Sequence, residues 1–171
     1  GANAFMHNGR MFVYNGDVLI EITTPYATAA QATIVDDGLG VDLLNTVSTS
    51  AASNDRLIYK SRLAISTAEG IYYVKNVEQE GLPTAFIYRV DRTNDGIDIA
   101  TPVATLPPGM IALDVGYHLG SLLISATSVV DLVFNNDLTD SVYPRIDIYH
   151  MTNGSLGSIG SPLGGETPDE S

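Results

Sequence analysis

Gly9-Arg-Met-Phe-Val-Tyr14, followed after Asn15-Gly16 by Asp17-Val-Leu-Ile-Glu-Ile22, is the stretch that decides the fold class of this chain. Residues 11–14 and 17–23 read as two strands about a turn, because Asn-Gly tolerates the two positive φ angles of a two-residue type I′ hairpin. In the second strand Val18, Ile20 and Ile22 alternate with Asp17, Leu19 and Glu21. One face is apolar and the other mixed, as in a half-buried strand. The same order returns at Gly70-Ile-Tyr-Tyr-Val74 with Ala85-Phe-Ile-Tyr-Arg-Val90, and at Gly120-Ser-Leu-Leu-Ile124 with Arg145-Ile-Asp-Ile-Tyr149. A degenerate repeat of this kind predicts stacked antiparallel β-units. The expected fold is all-β, built of four-stranded propeller-like meanders, with a β-sandwich as the alternative.

Outward from these segments, strands are expected at 57–59, 63–66, 71–75, 85–91 and 97–101, punctuated by Gly81-Leu-Pro83 and Thr93-Asn-Asp-Gly96. A third unit follows Pro107-Pro-Gly109, with strands at 111–115, 122–126, 145–150 and 156–159 and a long connection at 127–144 carrying Asp131, Asp137 and Asp140. Residues 25–55 break the rhythm and read as an irregular insertion holding one strand at 33–35. The domain is thus placed at 1–160, with 161–171 as an acidic flexible tail or linker. Two and a half to three units fit, against the roughly 4 to 8 blades of a closed propeller. The chain begins Gly1-Ala-Asn-Ala, which suggests a processed product or a segment of a longer polypeptide. Further blades or further copies are expected to cover the open ends, so a homo-oligomer is anticipated.

The chain has 171 residues, 44 % hydrophobic and 16 % charged, enough for one domain with a core. Its 20 acidic and eight basic residues give a formal charge of −12. That repels phosphate backbones and argues against direct nucleic-acid binding. Without cysteine, thiol chemistry and zinc ribbons are excluded. No apolar run approaches the roughly 20 residues of a spanning helix, so membrane insertion is not expected, and no signal-peptide pattern opens the chain.

Asp91-Arg-Thr-Asn-Asp95-Gly96-Ile-Asp98 resembles a calcium loop in its alternating oxygens, but Thr93 and Pro102 stand where an EF-hand needs Asp or Asn at its third position and Glu at its twelfth. A polar hairpin turn is the better reading. His7, His118 and His150 are scattered without ligand spacing. Gly38-Leu-Gly40 lacks the third glycine of a phosphate-binding loop, and Asn153-Gly-Ser155 reads as a turn rather than a glycosylation acceptor. Asp114 and Asp147 are the most plausible carboxylate pair for glycoside hydrolysis, although outward-facing strand charges explain them better. No catalytic, cofactor-binding or metal residue is therefore assigned, and no cofactor is expected. Tyr72, Tyr73, Tyr88, Tyr117, Tyr143 and Tyr149 offer amphipathic rings for a binding surface, against ordinary strand packing.

Leu106-Pro-Pro-Gly-Met-Ile-Ala-Leu-Asp-Val-Gly-Tyr-His-Leu-Gly-Ser-Leu-Leu-Ile-Ser-Ala-Thr127 resembles a propeller blade of virion and tail proteins of tailed bacteriophages. Arg62-Leu-Ala-Ile-Ser-Thr-Ala-Glu-Gly-Ile-Tyr-Tyr-Val74 is similar to the matching part of the preceding blade. The resemblance extends over residues 57–160. It implies a non-enzymatic structural or interaction protein in a virion, with other virion proteins and copies of itself as partners. A carbohydrate- or protein-binding adhesin module, extracellular or at a cell surface, is the alternative, and a propeller hydrolase the third reading.

Overall fold

The computed structural model describes residues 3–16, 18–23, 32–35, 62–79, 82–128 and 146–163. Of these, 77 % are strand and none is helical, so the fold is all-β as expected. Twelve strands form three four-stranded antiparallel sheets, each a meander in chain order. Sheet 1 holds β1 (Asn3–His7), β2 (Arg10–Tyr14), β3 (Leu19–Ile22) and β4 (Ala32–Ile34). Sheet 2 holds β5 (Ala64–Thr67), β6 (Gly70–Gln79), β7 (Leu82–Arg92) and β8 (Asp98–Thr105). Sheet 3 holds β9 (Met110–His118), β10 (Ser121–Ser128), β11 (Ile146–Thr152) and β12 (Ser155–Leu163).

The strand at 33–35, expected inside an insertion, is the fourth strand of sheet 1 and completes a unit like the other two. The expected strand at 57–59 and the connection beyond residue 128 lie outside the described residues. Two further expectations are corrected. Leu82 and Pro83 belong to β7 rather than to a turn, paired with Gln79 and Glu78. β12 runs through 161–163, where a tail was expected, because Leu163 pairs with Ile146.

Turn chemistry explains where the strands reverse. Asn8-Gly9, Leu119-Gly120 and Asn153-Gly154 are two-residue connections with positive φ at both positions. They are the turns a type I′ hairpin needs, and the glycine of each supplies the second left-handed residue without a Cβ penalty. Asn15-Gly16, expected in this role, is instead part of a longer connection, since Tyr14 pairs with Leu19. The Asn15 side chain accepts a hydrogen bond from the Val18 amide at 2.9 Å, which delays the start of β3.

Leu119 is an expensive occupant of its turn: φ is 48° and the side chain is 89 % exposed. A branched residue in the left-handed region costs about 1–2 kcal/mol, with no burial here to offset it. Leu119→Asn is therefore expected to raise stability by about 1 kcal/mol in urea unfolding. An unchanged or lower midpoint would contradict the turn assignment.

Sheet 2 is the middle layer. In β6 the consecutive residues Ile71, Tyr72, Tyr73, Val74 and Lys75 are all buried, because neighbouring sheets cover both faces. A doubly covered strand reads as a continuous run rather than an alternation. Tyr14 of sheet 1 packs on Tyr73 at 5.0 Å between ring centroids, and Tyr73 stacks on Tyr88 at 4.9 Å. The Tyr14 hydroxyl donates to the Val74 carbonyl at 2.7 Å. On the other face the Asn76 amide donates to the Ala112 carbonyl and accepts from the Ala112 N–H, joining sheet 2 to sheet 3.

Candidate functional site

The first strands of the three sheets meet around a cleft of about 600 Å³. Asn3 and Phe5 of β1, Arg62 and Ser66 around β5, and Val115 of β9 contribute to its walls. Arg62 forms a parallel bridge with Asp114, and its carbonyl accepts from the Val115 N–H at 3.1 Å. Asn3 donates to the Ala64 carbonyl at 2.9 Å, while its Oδ1 is buried without a hydrogen-bond partner among the described residues. His7 Nδ1 lies 2.7 Å from Ser66 Oγ and ties β1 to β5. The volume would admit a small polar ligand.

At the far side of the same sheet interface Arg10 gathers the acidic groups. It donates to Glu21 through Nε at 2.9 Å and through Nη2 at 2.6 Å, a bidentate pair. It also pairs with Asp98, which receives Arg92 at 3.3 Å. Hydrogen bonds to Glu21 and then to Asp98 hold the Arg10 guanidinium still further above its ordinary range. The guanidinium lies 4.9 Å from the centroid of Phe12. No local pattern marks this node, because Arg10 and Asp98 are distant along the chain and sheet stacking brings them together.

The loop at 91–98 is a turn, as its composition suggested. The Gly96 N–H donates to the Thr93 carbonyl at 3.0 Å, and the Ile97 N–H to Thr93 Oγ1 at 3.1 Å. Asp91 is engaged by Arg89 and Asp98 by two arginines. Among the described residues no group of three or more acidic or histidine side chains is placed to hold a metal ion. Asp114 is exposed on β9 and Asp147 half-buried on β11, on opposite sides of β10. His150 lies 3.2 Å from Thr152, and His118 is exposed. Tyr72, Tyr73, Tyr88 and Tyr149 are buried in sheet packing, Tyr117 is half-buried, and Tyr143 and the segment 38–40 lie outside the described residues.

Burial, and secondly a hydrogen bond to Glu69, push the Tyr72 hydroxyl above its ordinary value of 10.0. The unfolded chain therefore ionises this phenol first, and the associated stability is retained below about pH 10 and lost as pH rises through the higher folded value. Tyr72→Phe is expected to show a shallower alkaline loss of stability than the parent. Parallel pH profiles for the two proteins would contradict it.

The two terminal sheet faces differ sharply. On the side of sheet 1 turned away from sheet 2, cross-strand partners form the rows Ala4, Val13, Ile20, Ile34 and Met6, Met11, Ile22, Ala32. All eight are apolar, none is buried, and Met6 and Ile34 are 54 % and 64 % exposed. The apolar face of β3 is thus the one turned away from sheet 2, with Ile20 and Ile22 half-buried, while Leu19 and Glu21 on the mixed face turn towards sheet 2. On sheet 3 the corresponding outer rows are His118, Ser121, Thr152, Ser155 and Gly116, Leu123, His150, Gly157. No family model, curated protein or solved structure gives a match to this chain.

Proposed function

We propose that this protein is a non-enzymatic structural and interaction protein that acts by stacking sheet faces within a larger assembly, as a component of a bacteriophage virion or tail. The observation that supports it best is the open apolar face of sheet 1. Sheet 2 is covered on both sides by like sheets, whereas sheet 1 carries two apolar rows over which no other described sheet packs. Such a surface marks an interaction site in a soluble chain. The resemblance of residues 57–160 to blades of virion proteins supports the virion setting, and the charge of −12 suits a component that does not adhere to nucleic acid. The adhesin reading leaned on the tyrosines, and four of those named are taken up in packing.

Quantitative mass spectrometry of purified phage particles tests this reading. Peptides of the chain should be present in fixed stoichiometry with the major particle proteins and resist removal by high-salt washing. Recovery solely in the soluble fraction of the lysate would overturn it.

A further inference from the structure

We infer that the cleft between the first strands of the sheets binds a neutral sugar ring, laid on the face of Phe5 and hydrogen-bonded at its edge by Arg62. The inference goes beyond the assembly reading and does not depend on it. Phe5 and Phe12 are cross-strand partners whose rings stack at 5.6 Å between centroids, with 13° between their planes. β1 is the outermost strand of sheet 1, so the face of Phe5 turned away from Phe12 looks past the sheet edge, where the ring forms part of the cleft wall. That face presents the negative side of a π system, which attracts the C–H bonds of a flat ligand. Arg62 lines the same cleft, is exposed, and makes no side-chain hydrogen bond or ion pair among the described residues. Asp114, its partner in the strand bridge, accepts instead from the Val115 N–H at 2.9 Å. The guanidinium donors are thus left for a ligand, and Ser66 Oγ, tied to His7, keeps a lone pair to accept a further hydrogen bond.

The mixture of groups selects the ligand class. One aromatic face with the aliphatic Ile65 and Val115 beside it, and polar side chains around them, complements a molecule with an apolar face and a polar edge. A pyranose has that form, with C–H bonds over one face of the ring and hydroxyls around its rim. A bare hydrocarbon ring would leave Arg62 and Ser66 unmatched, and an anion would have to approach a chain of charge −12. The cleft volume of about 600 Å³ lies inside the roughly 300–1,000 Å³ of small-molecule sites. A single ring face and two side chains make the binding weak.

Saturation-transfer difference NMR of the full chain tests it, with the methyl pyranosides of glucose, galactose, mannose and N-acetylglucosamine as neutral probes. At least one should receive saturation, strongest at the C–H protons of one ring face, with a Kd of about 1–10 mM. Arg62→Gln, at an exposed position, should weaken that binding at least about fivefold. Phe5→Leu keeps an apolar side chain beside Phe12 and should abolish the saturation while circular dichroism shows the fold retained. Methyl glucuronoside and benzyl alcohol, run alongside, stand for the anionic and the purely apolar ligand. No saturation of any neutral glycoside, saturation of the glucuronoside or benzyl alcohol alone, or saturation that both variants leave unchanged would overturn the inference.

Discussion

Tyr73→Ala should remove about 4 kcal/mol of folding stability, the largest loss expected from a single substitution in this protein. Tyr73 is 1 % exposed and lies between Tyr14 and Tyr88. Its truncation opens a cavity that the flanking rings, held by their own strands, cannot fill. The loss combines the transfer of the ring with the lost stacking, itself about 0.5–1.5 kcal/mol per pair. Because Tyr14 belongs to sheet 1 and Tyr73 to sheet 2, the substitution also loosens the contact between layers. Domains of this kind are stable by only about 5–15 kcal/mol, so the effect is large in urea unfolding. Tyr14→Phe, which removes the hydroxyl that donates to Val74, should cost about 1 kcal/mol. A Tyr73→Ala loss below about 1 kcal/mol would mean that the aromatic column does not hold the sheets together.

Arg10→Ala is expected to cost about 2–3 kcal/mol. Removing the guanidinium takes the bidentate partner from Glu21 and leaves Asp98 to Arg92, at side-chain exposures of 19 % and 10 %. Exposed ion pairs contribute about 0–1 kcal/mol, whereas orphaning a buried partner costs about 3–5 kcal/mol. This node lies between those limits. Arg10→Lys should recover less than half of the loss, because an ammonium cannot make the bidentate contact with Glu21. Full recovery by lysine would reduce the node to simple charge balance, and an Arg10→Ala loss under about 0.5 kcal/mol would remove its role in joining sheets 1 and 2.

Strands and reversals were largely legible because both are written in local chemistry. Alternation at 18–22 and 111–115 and the turn at 93–96 need only neighbouring residues to declare them. Misreadings arose where a local signal had more than one outcome. Asn15-Gly16 carries the composition of a two-residue hairpin, yet the Asn15 side chain captures the Val18 amide and lengthens the connection. Leu119-Gly120 carries no such composition and makes the tight turn all the same, because the strand pairing on either side requires it. The fourth strand of sheet 1 is only three residues long and follows a stretch with no periodicity, so nothing local tied it to β3.

An all-β chain of antiparallel meanders could be read from local pattern, since a period of two and the turn residues between strands act over a few positions. Local pattern could not determine which face of β3 enters the core. Periodicity favours Val18, Ile20 and Ile22 for burial, but stacking turns Leu19 and Glu21 towards sheet 2 and leaves Ile20 and Ile22 half-buried on the opposite face. Glu21 is tolerated there because Arg10, supplied by another strand, pairs with it through two nitrogens. Hydrophobic pattern records what a face could bury. Only the tertiary packing decides what lies against it, because that depends on residues remote in the chain.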